Sequence, residues 1–519
     1  MKKHYYILLI ILWSFSACRQ NDKIVADEIL PARTKQVSMK DMFGVNGFEW
    51  DFYDAHYNFD TTKYSLIKTF SGFRHFLDWY RIEPEKGVFR FNHKPEGGWS
   101  YDEIYQKCYQ DSIDVIIDLQ TTPDWITNTY PESKRQRDLL PLNYKASRTS
   151  PSSYIEIAKA GFQIAARYGR NRSINKKLIS VPKETNDPVI GLGYIKYIEC
   201  TNEPDKWWKG KDSEASPEEY AALLSAFYDG HMGKLGKNVG VKTADATMKV
   251  VMGGLAKPDV EFVKRMVDWC KINRGTNKDG EINLCFDVIN YHMYSNDYTG
   301  WFASFRSKGR GVAPETNDMM KIANSFTDYV KTLGREIPVW STETGYDLSE
   351  KSIQRAIPVG NKSIEVTQAD WILRLGLLYA RMGIDRLFFY QLYDNNDPGT
   401  DTGTPFGFSG LVSKNQRRPA ARYIHQVTKL MGDYTYYNTI NTDPLVDIYQ
   451  KGKERIYIMV VPDEIDRKEK YNLNLGPAKK ATIYRLNPNS DNINSEIVDV
   501  HNGLLQLEVT ETPIFVVAK

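Results

Sequence analysis

The stretch that decides the fold is Tyr197-Ile198-Glu199-Cys200-Thr201-Asn202-Glu203-Pro204. It reads as a short strand ending in an Asn-Glu pair, and Pro204, which lacks the N–H a ladder needs, forces the chain out of the strand. A carboxylate at a strand tip can donate a proton when a second carboxylate stands opposite it. Glu343, closing Val339-Trp340-Ser341-Thr342-Glu343, is the candidate for that second group.

Outward from this strand, apolar runs alternate with helical patterns. The runs are Phe43–Phe48, Phe73–Leu77, Val115–Leu119, Ile195–Cys200, Val250–Gly254, Phe286–His292, Pro338–Thr342 and Arg386–Tyr390. Between them lie helical patterns over 61–70, 101–110, 153–168 and 367–381, and one that Pro217 opens with Ser216 as its N-cap. Strands apolar on both faces and separated by helices indicate a parallel sheet. The rival arrangement is an open doubly wound sheet. Eight such runs, several with a polar or charged residue near the end, favour an α/β fold of the (β/α)8 TIM-barrel type, whose strand C-terminal ends carry the chemistry.

A helix over 419–431 closes the barrel, and the texture then changes. Short alternating runs at 445–449, 456–460, 481–484, 504–509 and 514–517 predict a small antiparallel β-sandwich. The expected organisation is a barrel over 41–432 and a β-sandwich accessory domain over 433–519. The sandwich holds no evident reactive cluster and reads as support.

A length of 519 residues with 41% hydrophobic content suits one large domain and an accessory one. The net charge of +3 gives no electrostatic reason to expect nucleic acid. The 11 Trp, 33 Tyr and 22 Phe suit the apolar faces of sugar rings, although large cores use them too. At the N-terminus, Lys2 and Lys3 precede an apolar run from Tyr5 to Trp13, too short for a permanent span. It ends in Phe15-Ser16-Ala17-Cys18, which is similar to a bacterial lipobox. Residues 1–18 are therefore expected to be a signal peptide with Cys18 lipidated, and 19–40 a polar linker. Exported placement permits disulfides among Cys108, Cys200, Cys270 and Cys285, and Cys270 and Cys285 are closest in sequence. No Cys-x-x-Cys, His-x-His or phosphate-loop pattern occurs, so no metal and no cofactor is expected.

In an eight-stranded barrel, Glu203 on strand four and Glu343 on strand seven face each other across the mouth. One carboxyl can protonate a leaving glycosidic oxygen while the other attacks the anomeric carbon. Arg74, His292 and Tyr294 are candidate hydrogen-bond donors, and Asn202 can grip a sugar hydroxyl. Trp125, Trp207, Trp208, Tyr390 and Tyr393 lie at or just beyond strand ends, where rings can stack on sugars. Taken singly, each has a bland alternative: a salt-bridged carboxylate, a core histidine, loop packing. Their weight comes from falling at one end of the inferred barrel.

On these residues the chain resembles the clan A glycoside hydrolases. Gly193–Pro204 resembles that clan's acid/base strand, Trp340–Tyr346 its nucleophile strand and Phe73–Leu77 its second strand. Glu83–Gly87, Gly410–Val412 and Arg418–Ala420 resemble its turn and closing segments, with family 39 and xylosidase-like or endoglycanase-like members closest in texture. The resemblance implies Glu203 as acid/base, Glu343 as nucleophile, Asn202 as a binder of the 2-hydroxyl, and Arg74 and Tyr294 as partners of the nucleophile. It implies a retaining hydrolase of β-linked oligo- or polysaccharides, while the lipobox-like segment implies export and a lipid anchor on a membrane surface of a Gram-negative bacterium. The alternatives are a non-catalytic, surface glycan-binding lipoprotein and a metal-dependent barrel hydrolase. Sugar, linkage and endo or exo action stay open; insertions over 171–187 and 344–363 are candidates for walling the site.

Overall fold

The computed structural model describes residues 37–182, 187–298, 309–396 and 406–519. The expected signal peptide with Cys18, and the linker up to residue 36, lie outside the described residues.

Eight strands build the first part: β1 (Phe43–Gly47), β2 (Gly72–Asp78), β3 (Asp114–Gln120), β4 (Tyr197–Cys200), β5 (Lys249–Met252), β6 (Ile289–His292), β7 (Val339–Thr344) and β8 (Arg386–Phe389). They pair in parallel in the order β5-β4-β3-β2-β1-β8-β7-β6. Parallel bridges Val251–Val288 and Leu255–Tyr291 join β5 to β6, so the sheet closes on itself and the open-sheet rival is discarded. Ile116, Val251, Val288, Trp340 and Phe388 fill the lower interior as a packed core. Gly44 makes room for it, since a Cβ there would meet the Phe388 ring at 2.2 Å.

Local chemistry explains the outer helices. Ser216 and Glu219 form a reciprocal capping box at the start of the helix Pro217–Asp229. The helix Ile364–Met382 begins three residues before the expected 367, because Ser363 caps it by accepting from the Val366 N–H. In the helix Ile155–Tyr168, Ile157, Ala160, Ile164 and Ala165 share the buried side, as their spacing predicts. A fully buried Ile or Leu on such a face contributes about 1.5–3 kcal/mol relative to exposure.

Strand β7 runs on to Thr344, past the expected end at Thr342. Its pairing with β6 steps from Tyr291–Ser341 to His292–Glu343, leaving Thr342 as an extra residue. Such a bulge re-aims a side chain at a barrel rim. Here the residue it re-aims is Glu343.

The C-terminal part has eight strands where the alternation predicted five. Six form one sheet in the order 435–442, 445–451, 454–460, 514–518, 480–485, 494–499, and 469–474 pairs with 504–509 as a second sheet. Val446, Met459, Ile483, Leu505, Leu507 and Val516 belong to the core cluster of this sandwich. Arg381, on a barrel helix, bonds Asp447 of the sandwich at 2.8 Å, and both side chains are buried.

Residues 37–40, expected as linker, are instead built in: Ser38 bridges Thr435, and Met39–Met42 is a short helix. The insertion after Asn171 lies along the helix Ile155–Tyr168, where Gln163 bonds the Leu178 carbonyl at 2.7 Å. Cys270 and Cys285 are buried and unbonded, with Sγ atoms 3.4 Å apart. Among the described residues, no helix is long and apolar enough to cross a membrane.

Candidate active site

Arg74 organises the mouth of the barrel. It leaves β2 fully buried, and its guanidinium donates to both oxygens of Glu199 on β4 at 2.8 and 2.9 Å. The same group donates to Asn46 on β1 at 3.0 Å, Asp118 on β3 at 3.1 Å, Asn202 at 2.9 Å and Glu343 on β7 at 2.9 Å. Register explains the convergence, since Asn46 pairs with Arg74 across β1–β2 and Asp118 with Glu199 across β3–β4. Burial works against the charge on Arg74, but Glu199, Asp118 and Glu343 outweigh it and hold its pKa well above the ordinary value. Burial pushes Asp118 well above the usual carboxylate range, with Arg74 at 3.1 Å opposing it.

Beyond β4 the backbone turns sharply. Thr201 (φ 63°) and Glu203 (φ 46°) both occupy the left-handed region. That conformation costs on the order of 1–3 kcal/mol for a residue with a Cβ and persists where surroundings enforce it. Its effect is to hold the Glu203 side chain, 17% exposed, against His292.

The hydrogen bonds around His292 are consistent with a tautomer protonated at Nδ1. Asn290 Oδ1 accepts from the Thr342 N–H at 3.1 Å, so Asn290 Nδ2 is the atom that donates to Thr342 Oγ1 at 2.7 Å. The Thr342 hydroxyl proton is then available to His292 Nε2 at 3.0 Å. That leaves Nδ1–H to donate to Glu203 Oε1 at 3.0 Å. Burial drives the imidazole pKa down to about 4, so it is neutral at physiological pH. Gly254 permits the arrangement, because a Cβ there would lie 2.0 Å from His292 Nε2.

The two expected carboxylates therefore have different neighbours. Glu343 receives Arg74 Nη1 on Oε1 and the Tyr294 hydroxyl on Oε2 at 3.1 Å. Among the described residues, Glu203 receives His292 at 3.0 Å and the Asn202 amide at 3.5 Å, both neutral groups. Burial pushes Glu203 up to about 7 against the pull of Lys206 and Arg74. Burial also raises Glu343, with His292 and Arg74 opposing. A charged group donating directly separates the pair, so a single shared proton resides on Glu203. A ligand oxygen of Glu203, a nitrogen of His292 and an oxygen of Glu343 all lie within 4.8 Å of one another. This trio has the ligand types and spacing to hold a cation, for which His292 would have to offer a ring nitrogen lone pair.

The expected aromatic residues divide. Tyr390 belongs to the site: its ring contacts Phe76 at 6.1 Å and Phe406 at 5.3 Å, and Phe406 also contacts Tyr294 at 4.9 Å. Trp125 is half-buried and anchored at its edge. Its indole donates to the Glu83 carbonyl at 3.1 Å and its ring abuts Trp79 edge-on. Tyr393 faces Lys63, with Asp51 and Asp60 nearby. Trp207, 56% exposed, packs edge-on against Trp208 on the rim. Asn46, Asp118, Glu199, Asn290 and Thr342 were not singled out from sequence. The one signal for them is a polar residue inside an otherwise apolar strand.

No protein-family model matches the chain, and no curated protein does. Solved structures do. A family 39 glycoside hydrolase from the gut symbiont Bacteroides cellulosilyticus WH2 superposes with a TM-score of 0.61 at 17% identity, covering 93% of this chain and 82% of the other. A monomeric β-xylosidase from Caulobacter crescentus CB15 gives 0.56 at 13% identity, covering 94% and 97%. A family 30 endoxylanase from Clostridium papyrosolvens C71 gives 0.51 at 14%, covering 94% and 97%. The chain thus shares with family 39 and family 30 glycoside hydrolases a (β/α)8 barrel followed by a β-sandwich.

Proposed function

We propose that this protein is a retaining glycoside hydrolase acting on β-linked glycans, with Glu203 as acid/base and Glu343 as nucleophile. The observation that carries the reading is the approach of these two carboxyl groups to within 4.8 Å, each in a different hydrogen-bond environment. Retaining enzymes hold their carboxyls about 5–5.5 Å apart and inverting ones about 6.5–9.5 Å apart, to leave room for water. The short separation supports direct attack by a carboxylate.

In this mechanism Glu343, kept anionic by Arg74 and Tyr294, attacks the anomeric carbon while Glu203 protonates the departing oxygen. Glu203 then accepts a proton from water, which attacks the glycosyl–Glu343 ester. His292, donating to Glu203, orients that carboxyl through both half-reactions. Asn202 accepts from Arg74 through Oδ1 and so turns its amide N–H groups toward the mouth, where they can bond a sugar hydroxyl. Lipidation of Cys18 and export belong to the same proposal. Fatty-acid labelling of the wild type, and its loss in Cys18→Ala, checks them.

The test is hydrolysis of aryl β-glycosides and β-linked polysaccharides. Glu203→Gln and Glu343→Gln are each expected to lower turnover by orders of magnitude in a folded protein. Near-wild-type turnover in either rejects the assignment, and loss of activity with a chelator would favour metal-assisted hydrolysis at the Glu203–His292–Glu343 trio.

A further inference from the structure

Beside the carboxylate pair, between the ends of β3 and β4, lies a narrow cleft bordered by Gln120, Thr122, Arg137, Asp138, Asn202 and Lys206. Two of its cations keep donors unspent although each has an ionic neighbour, Asp138 for Lys206 and Asp124 for Arg137. The Lys206 side chain is only 13% exposed, yet its ammonium makes no hydrogen bond among the described residues. Its nearest carboxylate, Asp138, is 4.0 Å away and is already held by Lys209 at 2.8 Å. Arg137 lies flat over the Tyr80 ring at 3.7 Å and spends Nη2 on Asp124 at 2.9 Å. Its Nη1 is buried with nothing to bond.

A largely buried ammonium with no hydrogen-bond acceptor is costly, and with the unspent Arg137 Nη1 beside it the cleft offers two donors to an anion from outside. We infer that Lys206 and Arg137 form a binding site for the carboxylate of a uronic acid on the sugar next to the scissile bond. The cleft admits a substituent and not a ring. Its volume of about 20 Å³ is room for one or two water-sized atoms, which suits a small anionic substituent. Asn202 borders both this cleft and the carboxylate pair, so a sugar held at Glu203 presents its substituents here. The inference rests on the hydrolase reading and deepens it: the substrate class is an acidic β-glycan.

The experiment compares a β-linked oligosaccharide bearing a hexuronic acid with the same oligosaccharide after its carboxyl is reduced to the alcohol. For the wild type, kcat/KM is expected to favour the acidic form by about tenfold or more, the scale of a charge-assisted bond. In Lys206→Met the ratio should fall toward one, and in Lys206→Arg it should stay within about threefold of wild type. A wild-type ratio near one, or an equal loss on both substrates in Lys206→Met, overturns the inference, the latter making Lys206 a positioning residue for Glu203. If neither substrate is cleaved, calorimetric binding to Glu203→Gln decides. Tighter binding of the acidic form then supports the cleft while rejecting hydrolysis, and equal or absent binding rejects the cleft.

Discussion

Replacing Arg74 with Met keeps most of the side-chain volume and deletes the guanidinium that joins Asn46, Asp118, Glu199, Asn202 and Glu343. Among the carboxyls that lose this partner is Glu343, which the guanidinium meets at 2.9 Å. Removing one partner of a buried ion pair costs about 3–5 kcal/mol, since the remaining charge stays buried without compensation. The loss should depend on pH. With Arg74 gone, burial acts on Glu343 unopposed by the guanidinium, so its folded pKa rises further above the unfolded value of about 4.3. A carboxyl raised in this way destabilises the fold fully above its folded pKa, and the penalty fades as pH falls toward the unfolded one. Urea unfolding of wild type and Arg74→Met at pH 8 and pH 5 measures both quantities. The expected result is a deficit of about 3–5 kcal/mol at pH 8 that shrinks at pH 5. A deficit below about 1 kcal/mol, or one equal at both pH values, would refute Arg74 as the counter-charge of the site.

Three further outcomes follow from the geometry. The pH profile of kcat/KM should fall on its alkaline side near pH 7, where Glu203 loses its proton, and Glu203→Gln should abolish that limb. A limb unmoved by the substitution assigns it to another group. Gly254→Ala places a methyl 2.0 Å from His292 Nε2 and should lower kcat by roughly tenfold or more, while adding little in a His292→Ala background; additive losses would show that Gly254 acts elsewhere. Arg381→Met should cost about 3–5 kcal/mol by stranding Asp447, with kcat of the folded fraction unchanged. An altered kcat would tie the sandwich to the chemistry.

Both strand tips were legible in sequence because each places a carboxylate after an apolar run, with Pro204 or Gly345 ending regular pairing beyond it. The eight barrel strands were legible because burial on two faces leaves unbroken apolar runs. The polar layer beneath the carboxylates was not. That Asp118 and Glu199 point inward at one level follows from barrel register, which no single strand encodes. The neighbours of Trp125 and Tyr393 were not legible for a related reason: a position at a strand end says nothing about which way the ring turns. Of the unforeseen strands, 494–499 is largely exposed, 435–442 is polar although mostly half-buried, and 469–474 alternates with only Tyr471 and Leu473 as apolar signal. The thiol pair Cys270–Cys285 was the closest in sequence and is also close in space.

The claim on which the rest depends is that Glu343 becomes bonded to the sugar. A 2-deoxy-2-fluoro glycoside with a good leaving group, built on the sugar that proves most active in the substrate screen, slows breakdown of that intermediate and lets it accumulate. Peptide mapping by mass spectrometry then locates the adduct. The account expects one fluoroglycosyl group on the peptide containing Glu343, none in Glu343→Gln, and a first-formed hydrolysis product with the β configuration. An adduct on another residue, or an α-configured first product, would contradict it.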